Sequence, residues 1–440
     1  MTATTRFAPS PTGNLHVGNI RTALHNYLLS AKVGGRFLLR IDDTDPERSK
    51  EEFAASIVAD LDWLGLIPHA VFRQSERFAL YEREFDKLKV TGRVYPCYET
   101  PEELDVRRKV LLGRGLPPVY ERKAADAPVP EGVAPHWRFR LDHEASITWD
   151  DAIRGPQHFD PKLISDPVIR RADGSWLYLL PSVIDDVDMA ISHVLRGEDH
   201  VSNSAIQVQM FQALGASPPI FAHEALLVAA EGKLSKRLGS SGVDVLKNSG
   251  IEPMALNSLL ARLGTSQPVE AKATLDELAD GFDLATFGRA PAHFDLAEVQ
   301  QVNRKLLHHL DFASVADRVP EGIGADEWAI LAGNVDHLGE LSDWVDVLDG
   351  KIAVDTFDAD DAAFLVAAAG VAEGVDWTDN PWAALTSALK EQSGRKGKAL
   401  FHPLRKALTG RDSGPEMAPL TTRIGKARSI ARLRAAATQG

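Results

Sequence analysis

The sequence predicts an α/β protein: a doubly wound parallel sheet, interrupted by an inserted α+β region and followed by an all-helical C-terminal part. Three observations predict it. Short apolar runs alternate with segments of helical period through the first hundred or so residues. Turn-rich β segments with a hairpin signature then replace that alternation. Beyond Gly239 the apolar patterns become mostly helical.

Residues 4–8 read as a strand, and Ile20, Ala23, Leu24, Tyr27, Leu28 and Ala31 follow at helical spacing. Gly34 and Gly35 end that helix and residues 36–41 form a buried strand. Ser49 with Glu52 makes a capping box for a helix whose inner face is Phe53, Ile57, Leu61 and Leu64. Ser75 starts another helix that stops near Gly92. A helix capped by Thr100 and Glu103, with Pro101 in its first turn, opens the insertion. A Pro/Ala-rich linker over 124–135 comes next, then an alternating run over 137–141. Residues 168–172 and 175–178 flank Asp173-Gly174, a hairpin signal. The alternating pattern returns with a strand over 190–195, a helix ending at Leu214 and Gly215, and a strand over 221–228. In the C-terminal part Pro253 opens a helix that Gly264 closes, and Thr274/Glu277 and Asp295/Glu298 cap others.

Composition narrows the class. With 440 residues, 44% hydrophobic and a quarter charged, the chain is a soluble protein of several domains. It shows neither an apolar run long enough to span a membrane nor a basic-then-apolar leader, which predicts a cytoplasmic protein. Cys97 is the only cysteine, excluding an internal disulfide and any zinc site built on two or more thiolates. The net charge of −13 argues against indiscriminate coating of nucleic acid.

Two stretches carry chemistry. The first, residues 9–19, reads Pro-Ser-Pro-Thr-Gly-Asn-Leu-His-Val-Gly-Asn and places His16 and Gly18 where a strand ends and a helix begins. Free backbone N–H groups and the positive helix end suit a polyphosphate there, and Gly18 lets a flat base or ribose approach the backbone. The second, residues 233–237, reads Lys-Leu-Ser-Lys-Arg between glycines, again beyond a strand's carboxyl end. In a doubly wound sheet the two can face each other across the switch point, where Lys233, Lys236 and Arg237 would neutralise a departing pyrophosphate. Asp42, Asp43 and Asp45 sit at another strand end, and three readings stand for them: a divalent metal, an ammonium group, or a capped turn. Charge is also uneven at the C-terminus: residues 301–390 carry net −12 and residues 391–440 net +8. That basic tail is either a solvated helical face or a phosphate-binding surface made of Arg395, Lys396, Lys398, Arg405, Lys406 and the basic residues of 423–434.

Taken together, the two stretches resemble the signatures of the class I aminoacyl-tRNA synthetases. Arg6-Phe-Ala-Pro-Ser-Pro-Thr-Gly13, Arg40-Ile-Asp-Asp-Thr-Asp45, Arg73-Gln-Ser-Glu-Arg77 and Arg196-Gly-Glu-Asp-His200 resemble, more narrowly, the bacterial glutamyl-tRNA synthetases over roughly residues 4–310. The resemblance implies a Rossmann-like catalytic domain in two halves (1–98 and 186–230) around an acceptor-end-binding insertion (99–185). A loop and stem-contact region (231–310) and a helical anticodon-binding region (311–440) follow. It implies activation of L-glutamate by ATP with Mg²⁺, and transfer to the 3′ end of tRNA(Glu), also or mainly tRNA(Gln), by a monomer. By position, Arg6, Ala8, Ser10, Asp42, Tyr178, Ser182 and Arg196 match the glutamate pocket, with Asp42 facing the ammonium and the arginines the carboxylates. His16, Gly18, Asp199, Leu227, Lys233, Ser235, Lys236 and Arg237 match the ATP site, with His16 and Lys236 catalytic.

The sequence departs from the family pattern at five places. Asn19 replaces the last histidine of the first signature, Asp42 stands where Glu is frequent, Leu179 lacks an imidazole and Ser182 an amide. Zinc-bearing members place several cysteines near Cys97, and with one remaining no zinc is expected. A paralogue that binds RNA or a partner without ATP chemistry would have lost His16 or the lysine loop, and both are intact. A small-molecule adenylyltransferase would have no use for the helical part.

Overall fold

The computed structural model describes residues 2–124, 128–229, 242–350, 352–353 and 355–438. The second stretch named from the sequence, with Lys233, Ser235, Lys236 and Arg237, lies outside the described residues. The chain divides into two compact units, Met1–Asn248 with Pro253–Val299, and Ser249–Glu252 with Gln300–Gly440.

The first unit is built on parallel strands. β1 (Thr4–Phe7) pairs with β2 (Arg36–Ile41), which pairs with β3 (Ala70–Arg73). On its other side β1 meets the segment leading into β9 (His193–Gly197), where Ser192 N–H donates to the Thr4 carbonyl at 3.0 Å. β9 then pairs in parallel with β10 (Ile220–Glu224). The order β3-β2-β1-β9-β10 reverses direction between β1 and β9, so the crevice beyond their carboxyl ends is the switch point of a doubly wound sheet. Helices α1 (Val17–Lys32), α2 (Glu51–Trp63) and α3 (Phe78–Val90) connect the first three strands and β4 (Val94–Cys97).

The inserted region holds α4 (Pro101–Gly113), with the Thr100/Glu103 capping box in place. β5 (His136–Phe139) runs between β4 and β8 (Val168–Arg170), and β6 (Ile147–Asp151) and β7 (Gly155–Phe159) form a hairpin. Asp173-Gly174 turns as expected, with Gly174 at φ 87°, though 175–178 contributes only the bridge from Trp176 to Arg170. The chain returns to the sheet through α5 (Leu179–Asp188) and, after β9, α6 (Val201–Ala213).

Three expected details differ. Ser49 does not cap α2: its N–H donates to the Asp45 carbonyl at 3.0 Å and Lys50 N–H to that of Pro11 at 3.0 Å, so the turn is anchored to the first stretch and the helix starts at Glu51 without a side-chain cap. Ser75 lies within a 3₁₀ turn (Gln74–Glu76), because its N–H and hydroxyl both donate to Asp43 at 2.8 Å. The strand over 221–228 breaks at Ala225 and Leu226. The Ala225 carbonyl accepts from Arg21 and Leu226 N–H donates to Glu198 at 3.1 Å, after which β11 (Leu227–Ala229) pairs with β12 (Ala292–Phe294).

The second unit is helical, with a core that includes Trp328, Leu331, Trp344, Leu365, Leu385, Leu404, Leu420 and Leu433. In its basic tail the acidic stretch upstream supplies most of the partners. Arg395 pairs with Asp360 and Asp361, Lys406 with Asp355, Arg423 with Glu327 and Asp349, Arg428 with Asp349, and Arg434 with Glu373. Arg405 donates to the Pro415 carbonyl and Lys426 to that of Glu373. Arg432 is 6% exposed and donates to the carbonyls of Val347, Leu408 and Gly350 at 2.7, 2.7 and 3.1 Å, closing the ends of two helices. Of the basic residues named from the sequence, Lys396 and Lys398 alone stand exposed without a partner among the described residues.

Candidate active site

The switch-point crevice is a cleft of about 580 Å³. Its wall includes Arg6, Ala8 and Ser10 from the end of β1, His16 and Gly18 from the start of α1, Tyr178, Arg196 and Asp199 around β9, and Leu227. The structure therefore brings together nine residues that were named from widely separated segments. Asp42 lines a smaller adjoining recess that shares Ser10 and Tyr178 with the cleft. Ser182 reaches neither recess: it is fully buried on α5, its hydroxyl accepting from Arg40 at 3.1 Å.

The start of α1 is capped by the first signature itself. Asn19 N–H donates to His16 Nδ1 and His16 N–H to Asn19 Oδ1, both at 3.3 Å. Asn19, which the family comparison treated as a departure, thus has a capping role. Because Nδ1 accepts, the ring proton belongs on Nε2, where it can be donated to an oxyanion, and burial lowers the imidazole pKa to favour this neutral form. Gly18 suits the same packing: a Cβ there would meet the His16 ring at 3.1 Å and press on it. Polar residues hold α1 down, with Glu224 accepting from Thr22 at 2.6 Å and His25 at 2.7 Å, and burial-opposing partners keep its carboxyl at about 2.

Arg196 differs from the other cations of the cleft. Its Nη1 donates to the Tyr178 hydroxyl at 2.9 Å and its Nη2 to Ser204 and Gln207 at 2.6 Å, all neutral groups. Its Nε is buried without a partner, and among the described residues no carboxylate pairs with it. Burial accordingly pulls its pKa down from the ordinary arginine value. Arg6, by contrast, donates through Nε to Asp186 at 3.1 Å.

Sequence reasoning missed the ionic floor beneath this cleft. Arg40, fully buried in β2, donates to Asp42 at 2.6 Å and Asp186 at 2.7 Å, while Asp185 takes bonds from Gln74 and Tyr81 at 2.8 Å and Arg77 at 2.7 Å. The available signal was an arginine inside an apolar strand and a pair of acids inside an apolar helix, since such charges are buried only when paired. Burial pushes the Asp42 carboxyl up to about 6 in spite of Arg40. The other two acids of that stretch behave as turn residues, Asp43 holding Ser75 and Asp45 accepting from Arg48 N–H at 3.4 Å. His200, also missed, lines the cleft, and burial beside Arg196 brings it down to about 4.

One cluster has metal-ligand character. Cys97, Glu99 and His136 bring their donor atoms within 4.8 Å of one another, Cys97 and His136 opposed in register on β4 and β5 and Glu99 just beyond β4. The Tyr120 hydroxyl lies 3.3 Å from the thiol and 3.1 Å from Glu99, Lys123 pairs with Glu99 at 3.3 Å, and burial raises the thiol pKa. His136 Nε2 and one Glu99 oxygen have no partner.

A family model described as the catalytic domain of class I tRNA synthetases (E and Q) matches residues 2–301, and an anticodon-binding domain model matches residues 328–437. The glutamate–tRNA ligase 2 of Sphingopyxis alaskensis is 66% identical over 436 residues, covering 99% of both chains. The glutamate–tRNA ligase 1 of Novosphingobium aromaticivorans is 59% identical over 442 residues, covering 99% of this chain and 100% of that one. A crystal structure of a glutamate–tRNA ligase from Elizabethkingia meningosepticum, in complex with its amino acid, superposes with a TM-score of 0.83 at 26% identity, covering 100% of this chain and 99% of that one. On the strength of its sheet topology, its switch-point cleft and these matches, the chain belongs to the class I tRNA synthetases for glutamate and glutamine.

Proposed function

We propose that the chain activates L-glutamate with ATP and transfers it to the 3′ end of tRNA(Glu), with tRNA(Gln) as a second or alternative acceptor. The observation that carries this reading is the Arg196 guanidinium, buried in the cleft with neutral partners only and therefore lacking an anion. A substrate carboxylate supplies one. Arg6 faces the second carboxylate, Asp42 the ammonium, and Ser182 acts from below through Arg40.

ATP lies along the start of α1, its phosphates against His16 Nε2–H and the helix N-terminus, with Gly18, Asp199 and the Leu227 backbone around the nucleoside. Mg²⁺ arrives with the nucleotide and needs no protein cage. A glutamate α-carboxylate oxygen attacks the α-phosphorus and pyrophosphate leaves, its charge met by Lys233, Ser235, Lys236 and Arg237. The terminal ribose hydroxyl of the tRNA then attacks the acyl carbon and AMP leaves. Catalysis is positioning and charge stabilisation, with no covalent enzyme intermediate.

We assign residues 1–98 and 186–230 to the catalytic domain, 99–185 to the tRNA acceptor end, 231–310 to stem contacts and 311–440 to the anticodon, in a cytoplasmic monomer. No helix among the described residues is long and apolar enough to cross a membrane. The protein holds no zinc on this reading: the Cys97 cluster offers a single thiol, and Lys123 already pairs with its carboxylate. One equivalent of zinc in metal-free-buffer preparations would overturn that part.

The deciding experiment is charging of purified tRNAs with labelled glutamate. Acceptance by tRNA(Glu), tRNA(Gln) or both supports the reading, and acceptance by neither defeats it. Lys236→Ala is expected to slow adenylate formation strongly while leaving tRNA affinity nearly unchanged; equal loss of both would contradict the leaving-group role.

A further inference from the structure

Behind Arg196 runs a buried chain of polar side chains that none of the cleft roles above uses. Arg196 Nη2 donates to Ser204 Oγ at 2.6 Å, Ser204 Oγ lies 2.7 Å from His223 Nε2, and His223 Nδ1 lies 2.5 Å from Asp151 Oδ2. Ser204 and His223 are wholly buried, and Asp151 and Arg196 nearly so. The chain joins four elements: β9, α6, β10 and the end of β6 in the inserted hairpin.

The protons of this chain can be assigned by accounting. Asp151 accepts backbone N–H groups of Ile153, Arg154 and His223 on Oδ1, at 3.1, 2.9 and 3.1 Å, and its carboxyl is held at about 2, so it is an anion that only accepts. His223 Nδ1 must therefore carry the ring proton, leaving Nε2 as an acceptor. Arg196 only donates, so Ser204 accepts from it and donates its own proton to Nε2 at 2.7 Å, the nearer of its two acceptors, the His200 carbonyl lying at 3.3 Å. Every donor points away from the cleft, from arginine to serine to histidine to aspartate. The serine lone pair facing Arg196 is thereby kept free of its own proton. A guanidinium that lacks a carboxylate partner has little else to orient it: the Tyr178 hydroxyl, Gln207 and the face of the Phe221 ring at 5.7 Å are its other contacts.

We propose that Ser204, His223 and Asp151 are positioning residues that aim the Arg196 guanidinium at the substrate carboxylate, making the inserted hairpin part of the amino-acid pocket. The proposal rests on the reading that Arg196 binds glutamate. The alternative is that the three residues only knit β10 to α6 and the hairpin, in which case their loss lowers stability without selecting among substrates.

The test uses the full chain in steady-state aminoacylation, with tRNA saturating and glutamate and ATP varied in turn. Ser204→Ala is expected to raise the glutamate KM about tenfold, with the ATP KM and kcat moving less than threefold, and Ser204→Thr, which keeps the hydroxyl, to recover most of the loss. His223→Gln should act in the same direction, thermal unfolding of each variant being followed in parallel. In an Arg196→Lys background the Ser204→Ala effect should shrink to under about twofold, since the relay acts only through that guanidinium. The proposal is overturned if Ser204→Ala and His223→Gln leave the glutamate KM unchanged, raise the ATP KM equally, or keep their full effect in the Arg196→Lys background. If Arg196→Lys itself leaves the glutamate KM unchanged, the amino-acid reading of the cleft falls, and the relay with it; a large Arg196 effect with a silent Ser204 removes the relay alone.

Discussion

The arginines of the two units differ in what surrounds them. In the catalytic cleft Arg196 is buried among neutral oxygens, with one nitrogen unpartnered. In the helical unit Arg395, Arg423 and Arg434 meet carboxylates of the same unit, and Arg432 satisfies helix-end carbonyls. Both regions are equally visible as basic residues in a sequence. Arg196 faces a cleft and so stores an unmet demand for an anion there, because desolvation of a cation without a counter-charge is costly and a ligand that supplies the charge recovers that cost. Arg405 and Arg432 of the helical unit are likewise held by neutral carbonyls, but as parts of its packing. The density of basic residues is thus a poor guide to where anions bind, and their partners a better one.

Arg196→Gln is the sharpest way to break that contrast. Removing the guanidinium deletes a desolvated charge pair with the substrate, a loss of about 3–5 kcal/mol, so kcat/KM for glutamate should fall by roughly 10²–10³ or more while the fold survives. Aminoacylation kinetics alongside thermal unfolding measure both. An effect under about fivefold would place Arg196 among the structural arginines.

Arg432→Met should do the reverse. It leaves helix-end carbonyls of Val347 and Leu408 without their donor, at about 1–3 kcal/mol of lost stability, and should leave the salt dependence of tRNA binding untouched. Neutralising Lys396 and Lys398 together should instead leave stability nearly unchanged and reduce the salt slope by about one to two. Binding isotherms across salt concentrations, paired with denaturant melts, separate the two outcomes; a shallower slope in Arg432→Met would make that arginine an RNA contact as well.

The same contrast explains what was legible in the sequence. The first stretch could be read because its chemistry is local: strand end, turn, His16 and Asn19 all lie within residues 7–19, and the cap forms between neighbours. The Thr100/Glu103 and Thr274/Glu277 boxes are local in the same sense. Arg40 with Asp186, and Asp151 with His223, meet across 146 and 72 residues, and no period or motif links them in the chain. Ser49 and Ser75 failed as caps because other acceptors took the groups a cap would use: the Asp45 carbonyl holds the Ser49 N–H, and Asp43 holds both the N–H and the hydroxyl of Ser75. The pairing of the tail was not legible, because the acidic residues that fold onto it stand in the preceding stretch and no period links the two.

The smallest effect concerns Asp42, where the two kinds of site meet in one residue: it is already paired with Arg40 and is also the proposed partner of the substrate ammonium. Burial raises its carboxyl to about 6, so it is an anion above that pH and becomes neutral below it. Glutamate binding should therefore be constant from about pH 7 upward through neutrality. It should weaken by up to about tenfold per unit as pH falls below about 6, in the direction opposite to that expected of a group gaining positive charge. Asp42→Asn should raise the glutamate KM about tenfold at pH 7.5 and flatten its dependence between pH 5 and 7. Equal pH dependence in the wild type and Asp42→Asn would show that Arg40 holds the carboxylate for the fold alone, leaving the ammonium to another group.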